Sequence, residues 1–319
     1  MLVRKDKPLT EIMSKKGFTF SCELVPPRNG EPAENIFKKV EILKKAGVDF
    51  ISITRGAGGS LRGGTVPIAF LIKEKYKIPV IAHFTCMDST IPEIENNVID
   101  HSYLGITNIL ALRGDPPTGV FAKYCATDNQ HQYAYQLIKQ IRELTEGKYI
   151  LRKGFDADSQ TFHEGEALDF CMGAAAYPEP LDMSLDKSVD YFALKVKEGA
   201  QWAITQMIYS PHSYRLFLQK LRAKGIDIPI LPGVRVMISI KQAEFLQKTF
   251  KINIPAEYLN IIKKNDHSLN KTFIKNLILE FRASGARGIQ FFVMNEAELV
   301  GEIIKEMKKM FRDEPYCTC

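Results

Sequence analysis

Residues Phe18 to Thr54 read FTFSCELVPPRNGEPAENIFKKVEILKKAGVDFISIT, and the architecture follows from them. FTFSCELV is a short apolar run rich in aromatic and β-branched residues, closed by Pro26 and Pro27, which cannot continue a strand's hydrogen bonding. In NIFKKVEILKKAG, Ile36, Val40 and Leu43 stand at i, i+4 and i+7 and form an apolar stripe. Lys38, Lys39 and Lys45 occupy other faces, and Gly47 follows as a C-terminal stop. FISIT (Phe50 to Thr54) is the next run. The stretch predicts strand, helix, strand.

Outward from there the unit repeats. PVIAHFTC (Pro79 to Cys86), NILALRG (Asn108 to Gly114), LDFCMGAAAY (Leu168 to Tyr177), WAITQMIY (Trp202 to Tyr209), IPILPGV (Ile228 to Val234) and GIQFFVMN (Gly288 to Asn295) bring the runs to eight. Most begin roughly 30 residues apart, the length of a strand–loop–helix–loop unit. KSVDYFALKVKEGA and SYRLFLQKLRAKG are helical and end near Gly199 and Gly225. Two intervals are about twice as long. The first holds the helix-like DNQHQYAYQLIKQIREL (Asp128 to Leu144) and an irregular stretch from Tyr149 to Ala167, a lid or partner-docking loop. The second has room for helices in EFLQKTF, AEYLNIIKK and TFIKNLILEFRASG. Runs that are continuously apolar suit parallel strands covered on both faces. The expected fold is α/β: a closed (β/α)8 TIM barrel forming a single domain over residues 1–319. It has extra helices between the seventh and eighth strands, an N-terminal extension (1–16) and a C-terminal tail (313–319). An open doubly wound sheet is the alternative. The loop GAGGSLRGG (Gly56 to Gly64) matches neither the dinucleotide nor the P-loop glycine pattern.

Composition narrows the class. The chain has 45% hydrophobic and 25% charged residues, which excludes a disordered chain or a fibre. No stretch approaches the roughly 18 apolar residues of a membrane span, and the basic start lacks the apolar core of a secretory signal. Six scattered cysteines point to the reducing cytoplasm. A net charge of +6, spread over helix faces, argues against a nucleic-acid partner and is compatible with an anionic small molecule.

In a parallel barrel the functional side chains come from the C-terminal ends of the strands. The polar residues there are Glu23, Thr54 with Arg55, His83 with Thr85, Arg113 with Asp115, Tyr177 with Glu179, Gln206, and Asn295. A carboxyl in apolar surroundings is held neutral by desolvation, so Glu23 suits a general acid; a pairing with a barrel arginine or lysine is the other reading. Asp115, beside the backbone-permissive Gly114, offers a carboxylate to ring N–H groups, or else closes a turn with Arg113. Gln206 suits the edge of a heterocycle, or else ties down a loop. His83 reads first as a core histidine. With no second histidine or carboxylate at ligand spacing, no catalytic metal is expected. Cys22, Cys86 and Cys171 read as packing residues, and Cys317 and Cys319 as a tail.

The motifs FSCELVPPR, ISITRGAGGS, PVIAHFTC, LGITNILALRGDPP, MGAAAYPEP, LKVKEGAQWAITQ, IPILPGV and GIQFFVMN, in this order, resemble the methylenetetrahydrofolate reductase family from about Phe18 to Asn295. The resemblance implies a flavin-dependent barrel, carrying FAD or alternatively FMN, that reduces 5,10-methylenetetrahydrofolate to 5-methyltetrahydrofolate in one-carbon metabolism and methionine biosynthesis. It implies catalytic roles for Glu23, the substrate-binding acid that opens the folate's five-membered ring, and for Asp115. Asp115 would lie near flavin and pterin, and Gln206 would contact the substrate. Thr54, Ala57, His83, Arg113, Gly114, Asp115, Ala126, Tyr177 and Lys195 would hold the flavin. The sequence departs from the family pattern at Pro180-Leu181-Asp182-Met183 after AAYPE, at Arg235-Val236 after PGV, at Ile240 and at Glu296. These departures bear on NAD(P)H as the donor and on the usual hold of the folate tail. The donor is left open between NADH or NADPH and, as these departures suggest, a partner subunit or a ferredoxin, and the expected assembly is a homo-oligomer. A non-redox folate-binding barrel of the methyltransferase type and a non-catalytic barrel subunit are the competing readings.

Overall fold

A computed structural model describes residues 3–60, 62–87, 89–116, 125–151 and 162–313. Each of the eight apolar runs supplies one barrel strand. In chain order these are β1 (Thr19–Leu24), β2 (Phe50–Ile53), β3 (Val80–Thr85) and β4 (Asn108–Leu112). A short antiparallel hairpin, β5 (Lys148–Ile150) with β6 (Phe162–Glu164), intervenes. The barrel continues with β7 (Cys171–Ala176), β8 (Trp202–Met207), β9 (Ile230–Val234) and β10 (Gly288–Val293). The eight are parallel and close in the order β1-β10-β9-β8-β7-β4-β3-β2. The last joins the first along Thr19–Gly288 to Leu24–Val293.

The period of two along each strand divides the side chains. On β1, Phe20, Cys22 and Leu24 face outward into the shell between barrel and helices. Ser21 belongs to the interior, where it bonds to Gln290, whose amide in turn donates to Ser52 Oγ at 2.8 Å. The helices cover the outside. Glu34–Ala46 ends as its stripe requires: Gly47 is left-handed at φ 83°, and its N–H reaches the carbonyls of Leu43 and Lys44. The long interval before β10 holds the helices Ile240–Phe250, Ala256–Lys264 and His267–Ala283.

The structure differs from expectation in two places. In the first long interval the helix begins at Ala134 rather than Asp128. Asn129 and Gln130 are held instead by the start of the helix Ile91–Tyr103, through Ile91 N–H to Asn129 O at 3.0 Å and a bridge from Thr90 to Gln130. Gln136 then caps the new start by accepting from the N–H groups of Gln132 and Tyr133. The second difference concerns the N-terminal extension, which contains the helix Leu9–Lys16. Leu9, Ile12 and Met13 pack with Phe50, Ile81, Leu110, Trp202 and Leu231 in a cluster inside the barrel. Leu9 N–H donates to Asn108 Oδ1 at 2.9 Å, and the Asn108 amide donates back to Lys7 O at 3.1 Å. The extension is therefore the floor of the barrel. Residues 152–161 and 314–319, with Cys317 and Cys319, lie outside the described residues.

Candidate active site

The end opposite the floor is where the polar residues gather. Glu23 is the last inward position of β1, with Ser52 and Phe292 as its neighbours in register. Its side chain is 13% exposed, and its Oε2 lies 3.5 Å from His83 Nε2, longer than a hydrogen bond. The two do not form an ion pair. Burial pushes the Glu23 carboxyl up to about 8 and the His83 imidazole down to about 3, so both are neutral near pH 7. No arginine or lysine pairs with Glu23 among the described residues.

Two buried atoms at this end have no hydrogen-bond partner among the described residues: His83 Nε2 and Thr54 Oγ1. Thr54 is fixed through its backbone, its N–H to Leu24 O at 3.1 Å and its carbonyl accepting from Thr65 Oγ1 at 2.7 Å, while its own hydroxyl is left over. Leftover polar atoms in a buried mouth mark the place of a bound group.

A second cluster adjoins this one across the ends of β3 and β4. Arg113 O accepts from Met87 N–H at 2.9 Å. Gly114 has φ 97°, and a Cβ there would lie 3.0 Å from Met87 Cβ and 3.2 Å from Thr85 Cβ. Only glycine lets the chain pass so closely. Asp115 accepts from Gly58 N–H at 2.9 Å, which ties the glycine loop at Ala57 to the β4 end. Tyr177, just past β7, is 44% exposed, and Lys195 Nζ lies 5.4 Å from its ring centroid while donating to Ala175 O at 2.7 Å. Burial, then the nearby Arg113, lowers the Lys195 ammonium to about 8. A flat aromatic surface, a cation and close-set backbone suit a planar heteroaromatic group, so the residues present fit a flavin.

Gln206 stands at an irregularity between β8 and β9, where the register shifts between Ile204 and Met207. Its Oε1 accepts from Met207 N–H at 2.8 Å, which leaves its amide N–H groups for another partner. Ala126 is positioned by its N–H bond to Gln132 Oε1 at 2.8 Å. Residues 117–124, which would connect it to β4, lie outside the described residues. Arg55 does not join the site: its guanidinium lies 5.1 Å from the ring centroid of Phe84, on the outer face of β3.

The sequence analysis missed three features. Phe292 lies across the mouth, its ring so near Gly233 that a Cβ there would meet it at 2.4 Å. Arg235 and Glu296, noted only as departures, pair at the ends of β9 and β10. The Ser21–Gln290–Ser52 chain is buried within the barrel; a glutamine inside GIQFFV was its one signal. A cavity of about 350 Å³, lined by Val66, Asn97, Asp100, His101, Tyr103 and Leu104, contains none of the residues expected in the site.

Chemically useful groups held at the C-terminal strand ends, above a packed floor, define a barrel enzyme. The chain belongs to the methylenetetrahydrofolate reductase family, whose profile matches residues 8–308. It is 28% identical over 302 residues to Methylenetetrahydrofolate reductase 1 of Schizosaccharomyces pombe, covering 92% of this chain and 46% of that protein. To the 5,10-methylenetetrahydrofolate reductase of Escherichia coli it is 26% identical, covering 92% and 91%. To Methylenetetrahydrofolate reductase (NADH) 1 of Arabidopsis thaliana it is 30% identical, covering 92% and 48%. The chain thus spans about half the length of the yeast and plant relatives and about nine-tenths of the E. coli one. Among solved structures, an uncharacterized Clostridium thermocellum protein that binds two copies of 5-methyl-5,6,7,8-tetrahydrofolic acid shares the fold, with TM-score 0.61 and 17% identity over 95% of this chain and all of that one.

Proposed function

We propose that this protein catalyses the flavin-dependent reduction of 5,10-methylenetetrahydrofolate to 5-methyltetrahydrofolate, with Glu23 as general acid. The observation that carries this reading is the state of Glu23: a buried carboxyl at the barrel mouth, pushed up to about 8 by desolvation, with no cation paired to it among the described residues. Near pH 7 it holds a proton, which it can give to a nitrogen of the bridged substrate. Breaking the C–N bond then opens the five-membered ring to an iminium ion. His83, neutral and 3.5 Å away, adds no charge that would ionise the acid early.

Thr54, Ala57, His83, Arg113, Gly114, Asp115, Ala126, Tyr177 and Lys195 are the residues we assign to holding the cofactor, FAD with FMN as the alternative. When bound, the reduced flavin supplies the hydride that turns the iminium carbon into a methyl group. Asp115 and Gln206 face the substrate in this reading, as acceptor and as amide donor for the pterin edge.

The donor that reduces the flavin is a separate question. The departures at Pro180 to Met183, Arg235, Ile240 and Glu296 favour a partner subunit or a ferredoxin. The Arabidopsis relative's name specifies NADH, and that favours the nicotinamide. Stopped-flow mixing of the oxidised holoprotein with NADH and NADPH decides: rapid bleaching by either removes the protein-donor reading. The proposal also includes a cytoplasmic homo-oligomer, for which light scattering of the purified holoprotein is the test of assembly. No helix among the described residues is long and apolar enough to cross a membrane.

The decisive experiment on the chemistry is Glu23→Gln. It should keep a yellow, flavin-loaded protein while folate turnover falls about a hundredfold or more. Unchanged turnover would mean that another group is the acid.

A further inference from the structure

Arg235 follows β9 immediately, in step with the inward positions Leu231 and Gly233. Its side chain is only 12% exposed, yet none of its N–H groups makes a hydrogen bond among the described residues, and Nε is fully buried without a partner. The nearest acceptor is Glu296 Oε1, 3.9 Å from Nη2 and beyond hydrogen-bond reach. That carboxylate is already engaged: Oε1 accepts from Gln242 Nε2 at 2.6 Å, and Oε2 accepts from the N–H groups of Met294 and Asn295 at 3.1 and 3.0 Å. Glu296 therefore steers the guanidinium by charge without using its donors. A buried cation with unused donors is costly to a fold. A ligand that brings its own acceptors removes that cost.

We infer that Arg235 is an anion-binding residue of the barrel mouth, presenting its planar donor set to a carboxylate or phosphate of a bound ligand. The inference rests on the folate reading above only for the identity of one source of that anion. A guanidinium takes either oxyanion through two parallel N–H bonds. The sources are the glutamyl carboxylates of the folate and the phosphates of the cofactor.

The test compares wild type with Arg235→Gln on two pairs of probes. Flavin-loaded protein is titrated with 5-methyltetrahydrofolate and with its glutamyl diamide, which lacks both the α- and the γ-carboxylate. Apoprotein is titrated with FAD and with riboflavin, which has no phosphate. A loss of roughly ten- to a hundredfold for 5-methyltetrahydrofolate, with the diamide unaffected, supports the inference and assigns the carboxylate. The same loss for FAD, with riboflavin unaffected, supports it and assigns the phosphate. Equal behaviour of wild type and variant on all four probes overturns it and leaves Arg235 as a clamp on Glu296. Should Arg235→Gln fail to fold, the double variant Arg235→Met/Glu296→Gln removes both charges, strands neither, and carries the same expectations. Wild type that binds neither folate probe counts against the folate reading, and the flavin pair alone then judges Arg235.

Discussion

The two ends of the barrel are built on different terms. At the floor, Leu9, Ile12 and Met13 press into Phe50, Ile81, Leu110 and Trp202, and the Asn108 side chain is matched by reciprocal bonds with Leu9 and Lys7. Trp202 Nε1, unpartnered by strict geometry, still lies against the Cys171 thiol. At the mouth, among the described residues, Glu23 has no cation paired to it, and Thr54 Oγ1, His83 Nε2 and Arg235 Nε have no hydrogen-bond partners. A chain that satisfies one end and leaves the other unsatisfied has placed its stability in the first and its chemistry in the second. Substitutions at the floor should cost stability with little change in chemistry, and substitutions at the mouth the reverse.

The largest effect is expected from Trp202→Ala. The ring is fully buried and fills the space over Gly173, where a Cβ would sit 2.4 Å from it. Its removal should cost about 3–5 kcal/mol in denaturant unfolding. If the remaining folded protein lost its flavin chemistry out of proportion, the separation of the two ends would be wrong. Glu23→Gln comes next. It should lower turnover about a hundredfold, roughly 2.7 kcal/mol of barrier, with the melting temperature unchanged or raised. The wild-type proton-transfer step should slow above about pH 8, as the acid ionises, and that limb should vanish in the variant.

Gly114→Ala lies at the junction of mouth and barrel and sharpens the comparison. A methyl at φ 97°, against Met87 and Thr85, should cost about 1–2 kcal/mol and weaken flavin retention on a desalting column. The last prediction is a slope. The Glu23 pKa is raised from 4.5 to about 8 on folding, so the native state binds the extra proton between those values. Stability should therefore fall as pH rises through that window and level off above it. Urea midpoints from pH 5 to 9 for wild type and Glu23→Gln should differ in this slope; parallel curves would count against a buried neutral acid.

Much of the fold could be read directly. Each apolar run became a strand, because a strand covered on both faces must be apolar throughout and stands out between charged, helically periodic segments. The floor could not be read that way. LTEIMSKK is short and carries five polar residues to three apolar ones, and only the open end of a closed barrel gives Leu9, Ile12 and Met13 something to cover. Glu23 was legible because a carboxylate in FSCELV violates the surrounding pattern. Arg55, equally polar and equally near a strand end, turned outward onto Phe84, since neighbouring strand positions face opposite sides. Arg235 and Glu296 are far apart in the chain, and neither is unusual by itself.

The order of residues alone determined the alternation of strands and helices, the parallel closed barrel and the placing of acids and amides at strand ends, because hydrophobic periodicity and turn residues act locally. Only the tertiary structure decided that, among the described residues, Glu23 stands without a cation and Arg235 is buried with its donors unused, and that the first helix seals the floor. Each of these depends on which groups from distant strands meet in a space that excludes water, and a buried group's protonation and hydrogen bonding are set by those neighbours.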